Sequence, residues 1–117
     1  KTFILGSEFS PNQFLNFIRH ADLTVGLRLH ALIFSALSNV PHLGFSYDKK
    51  VESFLIRSGM WDYSFRLGEI DEVKLLENAL YLLDNKELVQ QTMKPNVDQL
   101  RREAMRNLDL LKEKFGN

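Results

Sequence analysis

The stretch Ala21-Asp22-Leu23-Thr24-Val25-Gly26-Leu27-Arg28-Leu29-His30-Ala31 decides how this chain is read. Leu23-Thr24-Val25 is a short apolar run closed by Gly26. From Leu29 onward, Leu29, Leu32, Ile33, Ala36 and Leu37 recur at three-and-four spacing. A strand therefore turns through Gly26-Leu27-Arg28 into a helix, which Asn39-Val40-Pro41 breaks. The pattern then repeats. His42-Leu43-Gly44-Phe45-Ser46-Tyr47 reads as a strand and Asp48 as a helix cap, with Val51, Phe54 and Leu55 as the buried face of a helix reaching about Ser58-Gly59. Upstream, Thr2–Leu5 reads as a strand and Gly6-Ser7 as a turn. Ser10-Pro11-Asn12-Gln13 then opens a helix carrying Phe14, Leu15, Phe17 and Ile18 and ending near Arg19-His20.

Three strand-then-helix units joined by short loops predict right-handed crossovers and a parallel sheet, an α/β doubly wound, Rossmann-like pattern with helices on its faces. After Trp61 the reading is an edge strand at Ser64–Leu67 and a helix from Asp71 to about Asp84. A long helical tract follows, divided by Pro95 into Lys86–Thr92 and Val97–Lys114. These tail helices are expected to strap across the sheet. Residues 1–117 read as one α/β domain, with βα units and the candidate site in 1–60 and a mainly helical tail in 61–117. So few strands make a narrow sheet for a parallel architecture, and the chain opens on Lys1 rather than Met. The expectation is a fragment of a larger protein, with self-association (a homo-oligomer) as one way to cover an exposed sheet edge.

Composition narrows the function classes. Fifteen Lys and Arg balance fifteen Asp and Glu, which removes the bulk-electrostatic argument for nucleic acid. The absence of Cys excludes disulfides, thiolate zinc sites and a cysteine nucleophile, and fits a cytoplasmic setting. The longest apolar stretch, around Ala31 to Leu37, is far below the roughly 20 residues of a spanning helix. Chemistry is expected before about residue 60, where His20, His30 and His42 all lie.

In open α/β sheets ligands bind at the carboxyl ends of the strands, and unpaired N–H groups of a helix start favour an anion there. Arg28 adds a fork of donors matched to a carboxylate or phosphate, and His30 a proton near neutral pH. Leu29 between them is expected to point into the core. Equally, an Arg or His at a helix start can be a plain surface group, although a cation there is mildly unfavourable without an anion to meet. Tyr47, Asp48 and Lys50 follow the next strand and are candidates for the same crevice; Asp48 also reads as a plain N-cap and Lys49 as solvated. Asp22 is either a partner for a basic side chain or a turn residue. His20 and His42 lack metal-ligand spacing, so no metal site is expected. No Gly-x-Gly-x-x-Gly, Walker loop or Gly-x-Ser-x-Gly elbow occurs. Arg101, Arg102, Arg106, Lys112 and Lys114 alternate with acids as on a solvated helix face, and Trp61, Tyr63 and Phe65 read as packing.

Ala21-Asp22-Leu23-Thr24-Val25-Gly26-Leu27-Arg28-Leu29-His30-Ala31-Leu32-Ile33-Phe34, with Val40-Pro41 and Ser46-Tyr47-Asp48-x-Lys50-Val51, resembles the C-terminal part of the polysaccharide pyruvyl transferases. The similarity covers about residues 2–60 well and the tail loosely. It implies part of the C-terminal lobe of a two-lobe, GT-B-like enzyme that places a pyruvate ketal from phosphoenolpyruvate on a sugar of a cell-surface polysaccharide. The implied donor-binding residue is Arg28 and the implied acid is His30; Gly26, Tyr47, Asp48 and Lys50 are implied substrate contacts. Lys49 stands where a Pro is frequent in the family, which affects the loop shape. The implied partners are phosphoenolpyruvate as donor substrate, with no cofactor, a saccharide acceptor and a missing N-terminal lobe. The implied place is the cytoplasm, peripheral to the inner face of the membrane, and the isolated chain is expected to be inactive. The alternative is a nucleotide-sugar-binding lobe of a GT-B glycosyltransferase or epimerase, with a diphosphate in the same crevice.

Overall fold

The computed structural model describes residues 2–3, 16 and 18–115, and the side chains of residue 16 and residues 18–107. The elements in chain order are β1 (Thr2–Phe3), β2 (Leu23–Gly26), α1 (Leu29–Leu37), β3 (His42–Ser46), α2 (Lys49–Ser58), a 3-10 turn (Trp61–Tyr63), β4 (Phe65–Arg66), α3 (Glu72–Asp84) and α4 (Lys86–Phe115). The expected Ser10-Pro11 helix start, Phe14, Leu15, Phe17 and the strand end Ile4-Leu5 lie outside the described residues; Asn16, Ile18 and Arg19 are helical.

The strands form a parallel α/β sheet in the order β1-β2-β3-β4, a three-strand ladder extended by the two-residue β4. This corrects the doubly wound expectation for the described strands. A strand order that never reverses, joined by right-handed crossovers, sends the connecting helices to one face, and α1 and α2 do pack side by side. The register pairs Thr24 with His42 and Gly26 with Gly44, so these residues share that face. A Cβ added at Gly44 would lie 2.8 Å from Leu55 Cδ1 and 2.9 Å from Leu32 Cδ1. Gly44 is therefore what lets α1 and α2 close onto β3. The other face, carrying Leu23, Val25, Leu43 and Phe45, is covered by α3, which lies against β2 and the 3-10 turn. Tyr63 stacks on Tyr81 of α3 at 5.7 Å, and Trp61, Tyr63 and Phe65 pack against the core as expected.

Local chemistry fixes the helix ends. Asp48 accepts from the Val51 N–H at 3.0 Å, and Asp71 accepts from Val73 and Lys74, so α2 and α3 have side-chain N-caps. Gly59, at φ +85°, closes α2 in a Schellman arrangement: its N–H bonds the Ile56 carbonyl and the Met60 N–H bonds that of Leu55. Its missing side chain also lets α4 approach, since a Cβ would fall 2.8 Å from Asn96 Nδ2.

α4 is continuous from Lys86 to Phe115, so Pro95 does not divide it. Proline removes one helical hydrogen bond and crowds the preceding turn. Here Pro95 and Gln91, whose carbonyl loses its donor, are both on the exposed side. Val89, Met93, Val97 and Leu100 form a buried stripe on either side of Pro95 and hold the helix down. The expected strap is thus a single helix, running along the amino-terminal edge of the sheet. Lys86 pairs with Asp22 at 2.7 Å, Gln90 donates to the Asn39 carbonyl, Arg101 donates to the Leu37 carbonyl at the end of α1, and Glu103 pairs with Arg57. Arg101 and Glu103 therefore do more than line a solvated face: Arg101 brings a cation to the carboxyl end of α1, and Glu103 pairs with Arg57 in the last turn of α2. Asp22 is the partner of a basic side chain: its hydrogen bond with Lys86 lowers the carboxyl to about 2.

Replacing Gly44 with Ala should lower unfolding stability by about 1–3 kcal/mol through overpacking of Leu32 and Leu55, read as a urea midpoint shift at unchanged m-value. An unchanged midpoint would show that the two leucines relax freely.

Candidate functional site

With α4 closing the amino-terminal edge, the carboxyl edge of the sheet is where loops are free to meet a ligand. Gly26 at the end of β2 pairs with Gly44 while β3 runs two residues further to Ser46, so Leu27-Arg28 and Tyr47-Asp48 leave the same carboxyl edge at staggered depths and α1 and α2 both start there. Gly26 is half-buried, while Arg28, His30, Tyr47, Asp48, Lys49 and Lys50 are exposed.

Arg28 occupies the N-cap of α1 in extended conformation, at φ −88° and ψ 134°, and its carbonyl accepts from the Leu32 N–H. Among the described residues no side chain caps α1, and its first turn has no acidic residue, unlike α2 and α3 with their aspartates. The donors of that first turn thus lie open beside a guanidinium that pairs with no carboxylate among the described residues. His30, in the same turn, is exposed, as a group that exchanges protons with a ligand must be. Asp48 spends Oδ1 on the Val51 N–H, so its first role is that of the cap.

Lys50 stands in a groove of about 420 Å³ between α1 and α2. Leu29, Ile33 and Phe54 form its floor, and Lys49, Lys50 and Arg57 its rim. Gly26, Arg28, His30, Tyr47 and Asp48 share the edge but do not line this groove. Leu29 packs against the core as expected and also reaches the groove. Lys49, read from sequence as merely solvated, belongs to the rim. The readable signal was positional: Lys49 and Lys50 start a helix whose Arg57 recurs two turns later.

His42 is fully buried on the helix-covered face. Its Nδ1 faces the Val40 carbonyl at 2.9 Å and its Nε2 faces Ser58 Oγ at 2.8 Å. A carbonyl only accepts, so Nδ1 carries the hydrogen and Nε2 accepts from the Ser58 hydroxyl. Burial lowers this imidazole from 6.5 to about 4, which marks a neutral structural histidine. Among the described residues no three His, Cys, Asp or Glu groups come close enough to hold a metal ion. None of the described helices is long and apolar enough to cross a membrane.

The carboxyl edge of the parallel sheet thus carries, among the described residues, a helix start without a side-chain cap and a guanidinium without a carboxylate partner, an arrangement that favours an anion. Residues 1–49 match the model of a family described as polysaccharide pyruvyl transferase, so the resemblance in the sequence is found again over that stretch. The matched stretch includes Gly26, Arg28, His30, Tyr47 and Asp48 and ends one residue before Lys50. No curated protein and no solved structure matches the chain.

Two measurements check this account. A Cβ at Gly26 would meet Leu32 and Ala31 at ordinary distances of 3.6 and 3.7 Å, so Gly26→Ala should leave the melting temperature within a degree or two while weakening any ligand that needs the bare backbone. A large drop in melting temperature would make Gly26 a packing residue. Because folded His42 resists protonation, stability is complete above pH 6.5 and declines as pH falls from 6.5 toward 4, where only the unfolded chain binds the proton. Urea unfolding should show a loss of about 2–3 kcal/mol across that window, absent in a less stable His42→Gln variant. An equal slope in both proteins would assign the effect to other groups.

Proposed function

We propose that the chain is the C-terminal, donor-binding part of a larger two-lobe, GT-B-like polysaccharide pyruvyl transferase, acting in the cytoplasm on a sugar of a cell-surface polysaccharide or its precursor. The observation that carries this reading is the start of α1, where Arg28 takes the N-cap that aspartate holds in α2 and α3. Phosphoenolpyruvate brings a phosphate and a carboxylate. The N–H groups of Leu29, His30 and Ala31 receive one anionic group and the Arg28 fork the other. Gly26 leaves room for the ligand beside the backbone, and Tyr47, Asp48 and Lys50 border the acceptor side.

His30 serves as the acid. It delivers a proton to the methylene carbon of the enol phosphate while a sugar hydroxyl adds to the neighbouring carbon. A second hydroxyl of the same sugar then replaces the phosphate at that carbon. Two C–O bonds form, the C–O bond to phosphate breaks, and the methylene becomes a methyl group. One hydroxyl proton restores the acid and the other leaves with the phosphate. Arg28 and the open helix start hold the phosphate as its charge increases on departure.

In the pyruvyl transfer reaction of the full-length protein, Arg28→Ala should raise KM for phosphoenolpyruvate by about 10- to 100-fold through loss of a charge-assisted contact. His30→Ala should mainly lower kcat, by about 10²- to 10⁴-fold. Unchanged kinetics in both variants would end this reading. A thermal-shift comparison of phosphoenolpyruvate with a nucleotide-sugar panel decides against the glycosyltransferase or epimerase alternative, since only a ligand that prefers the folded chain raises its melting temperature.

A further inference from the structure

Two surfaces are not accounted for by the fold or by the anion site. The first is the α1–α2 groove, whose floor of Leu29, Ile33 and Phe54 is bordered by cations and by no carboxylate. Lys49 and Lys50 pair with no acid among the described residues, and Arg57, paired with Glu103, is half-exposed. The second is the outer side of α3. Val73, Leu76 and Leu80 are 68%, 61% and 50% exposed, and their i, i+3, i+7 spacing makes a single ridge. Glu77, which lies 4.0 Å from Lys74, and Asp84 flank that ridge on its exposed side. Three large apolar side chains in one row on an exposed face mark an interaction surface.

The two surfaces are complementary in length and charge. Lys50 and Arg57 are seven residues apart on one flank of α2, which is about 10 Å along the helix. Glu77 and Asp84 are also seven residues apart on one flank of α3, so the spacing is again about 10 Å. An apolar ridge with an acidic flank fits an apolar groove with a basic flank in the helix-in-groove manner. Symmetric pairing of two α3 ridges would instead bring the acidic flanks together, which is unfavourable. We propose that the partner is a second copy of this chain, its α3 ridge seated in the α1–α2 groove. The interface is heterologous, so it propagates head to tail or closes into a ring. A ridge of three apolar side chains falls short of the roughly 1,200 Å² of standard stable interfaces, so association is weak and dependent on concentration and salt. A seated ridge covers Leu29 and Lys50 while Arg28 and His30 do not line the groove, so loss of association in the variants below and loss of donor binding in Arg28→Ala are separate readouts.

Sedimentation velocity on the wild-type chain from about 10 µM to 1 mM should show association that weakens in about 0.5 M salt. A ridge variant, Leu76→Asp with Leu80→Asp, and a groove variant, Lys49→Glu with Lys50→Glu, alter exposed positions and should keep the wild-type circular dichroism spectrum. Each alone should remain monomeric where the wild type associates. Mixed in equal amounts they should form a dimer that grows no further, since one retains only its groove and the other only its ridge. A wild type that stays monomeric, a groove variant that associates as well as the wild type, or a mixture that fails to pair would each overturn the proposal.

Discussion

The close seating of Leu32 and Leu55 over Gly44 is the contact on which the rest of the molecule depends. It brings α1 and α2 onto the same face of β3 at a distance where an added Cβ would press on both leucines. Because both helices follow parallel neighbouring strands, that one approach also sets their starts side by side at the carboxyl edge. The core beneath them is continuous, from Leu23 and Leu43 in the sheet to Val51, Leu82 and Met93 in the helices. His42 belongs to this layer too, held neutral between Val40 and Ser58.

The two edges of the sheet are treated differently. At the amino-terminal edge α4 makes polar contacts with the elements it meets: Lys86 takes up Asp22, Arg101 takes the last carbonyl of α1, and Glu103 meets Arg57 at the last turn of α2. At the carboxyl edge the first turn of α1 is left with open donors next to a cation. A helix start flanked by its own positive charge is electrostatically costly unless an anion joins it. The stability contributed by the closed edge holds the open one in place.

The βα units were legible because each carries its own punctuation. Gly26 closes β2, Pro41 precedes β3, Asp48 caps α2 and Gly59 ends it, all signals within a few residues of the element they bound. What escaped the sequence depends on contacts far apart in the chain. Pro95 reads locally as a helix break, yet packing of Val89, Met93, Val97 and Leu100 against α1, α2 and the core overrides it. Asp22 meets Lys86 and Leu37 meets Arg101 across sixty-four positions, a separation no periodicity encodes. The same holds for the site. Arg28 and His30 were visible because they lie within one strand-to-helix turn. Lys49 and Arg57 appeared as groove residues only when α1 was placed beside α2.

The central claim is that the start of α1 holds the anionic donor. The most direct measurement is a titration of the ¹⁵N-labelled chain with phosphoenolpyruvate, followed through the backbone amide resonances. The account predicts saturable shifts concentrated at Leu29, His30 and Ala31, lost in Arg28→Ala. Shifts confined to the first turns of α2 or α3, or none at saturating donor, would contradict it.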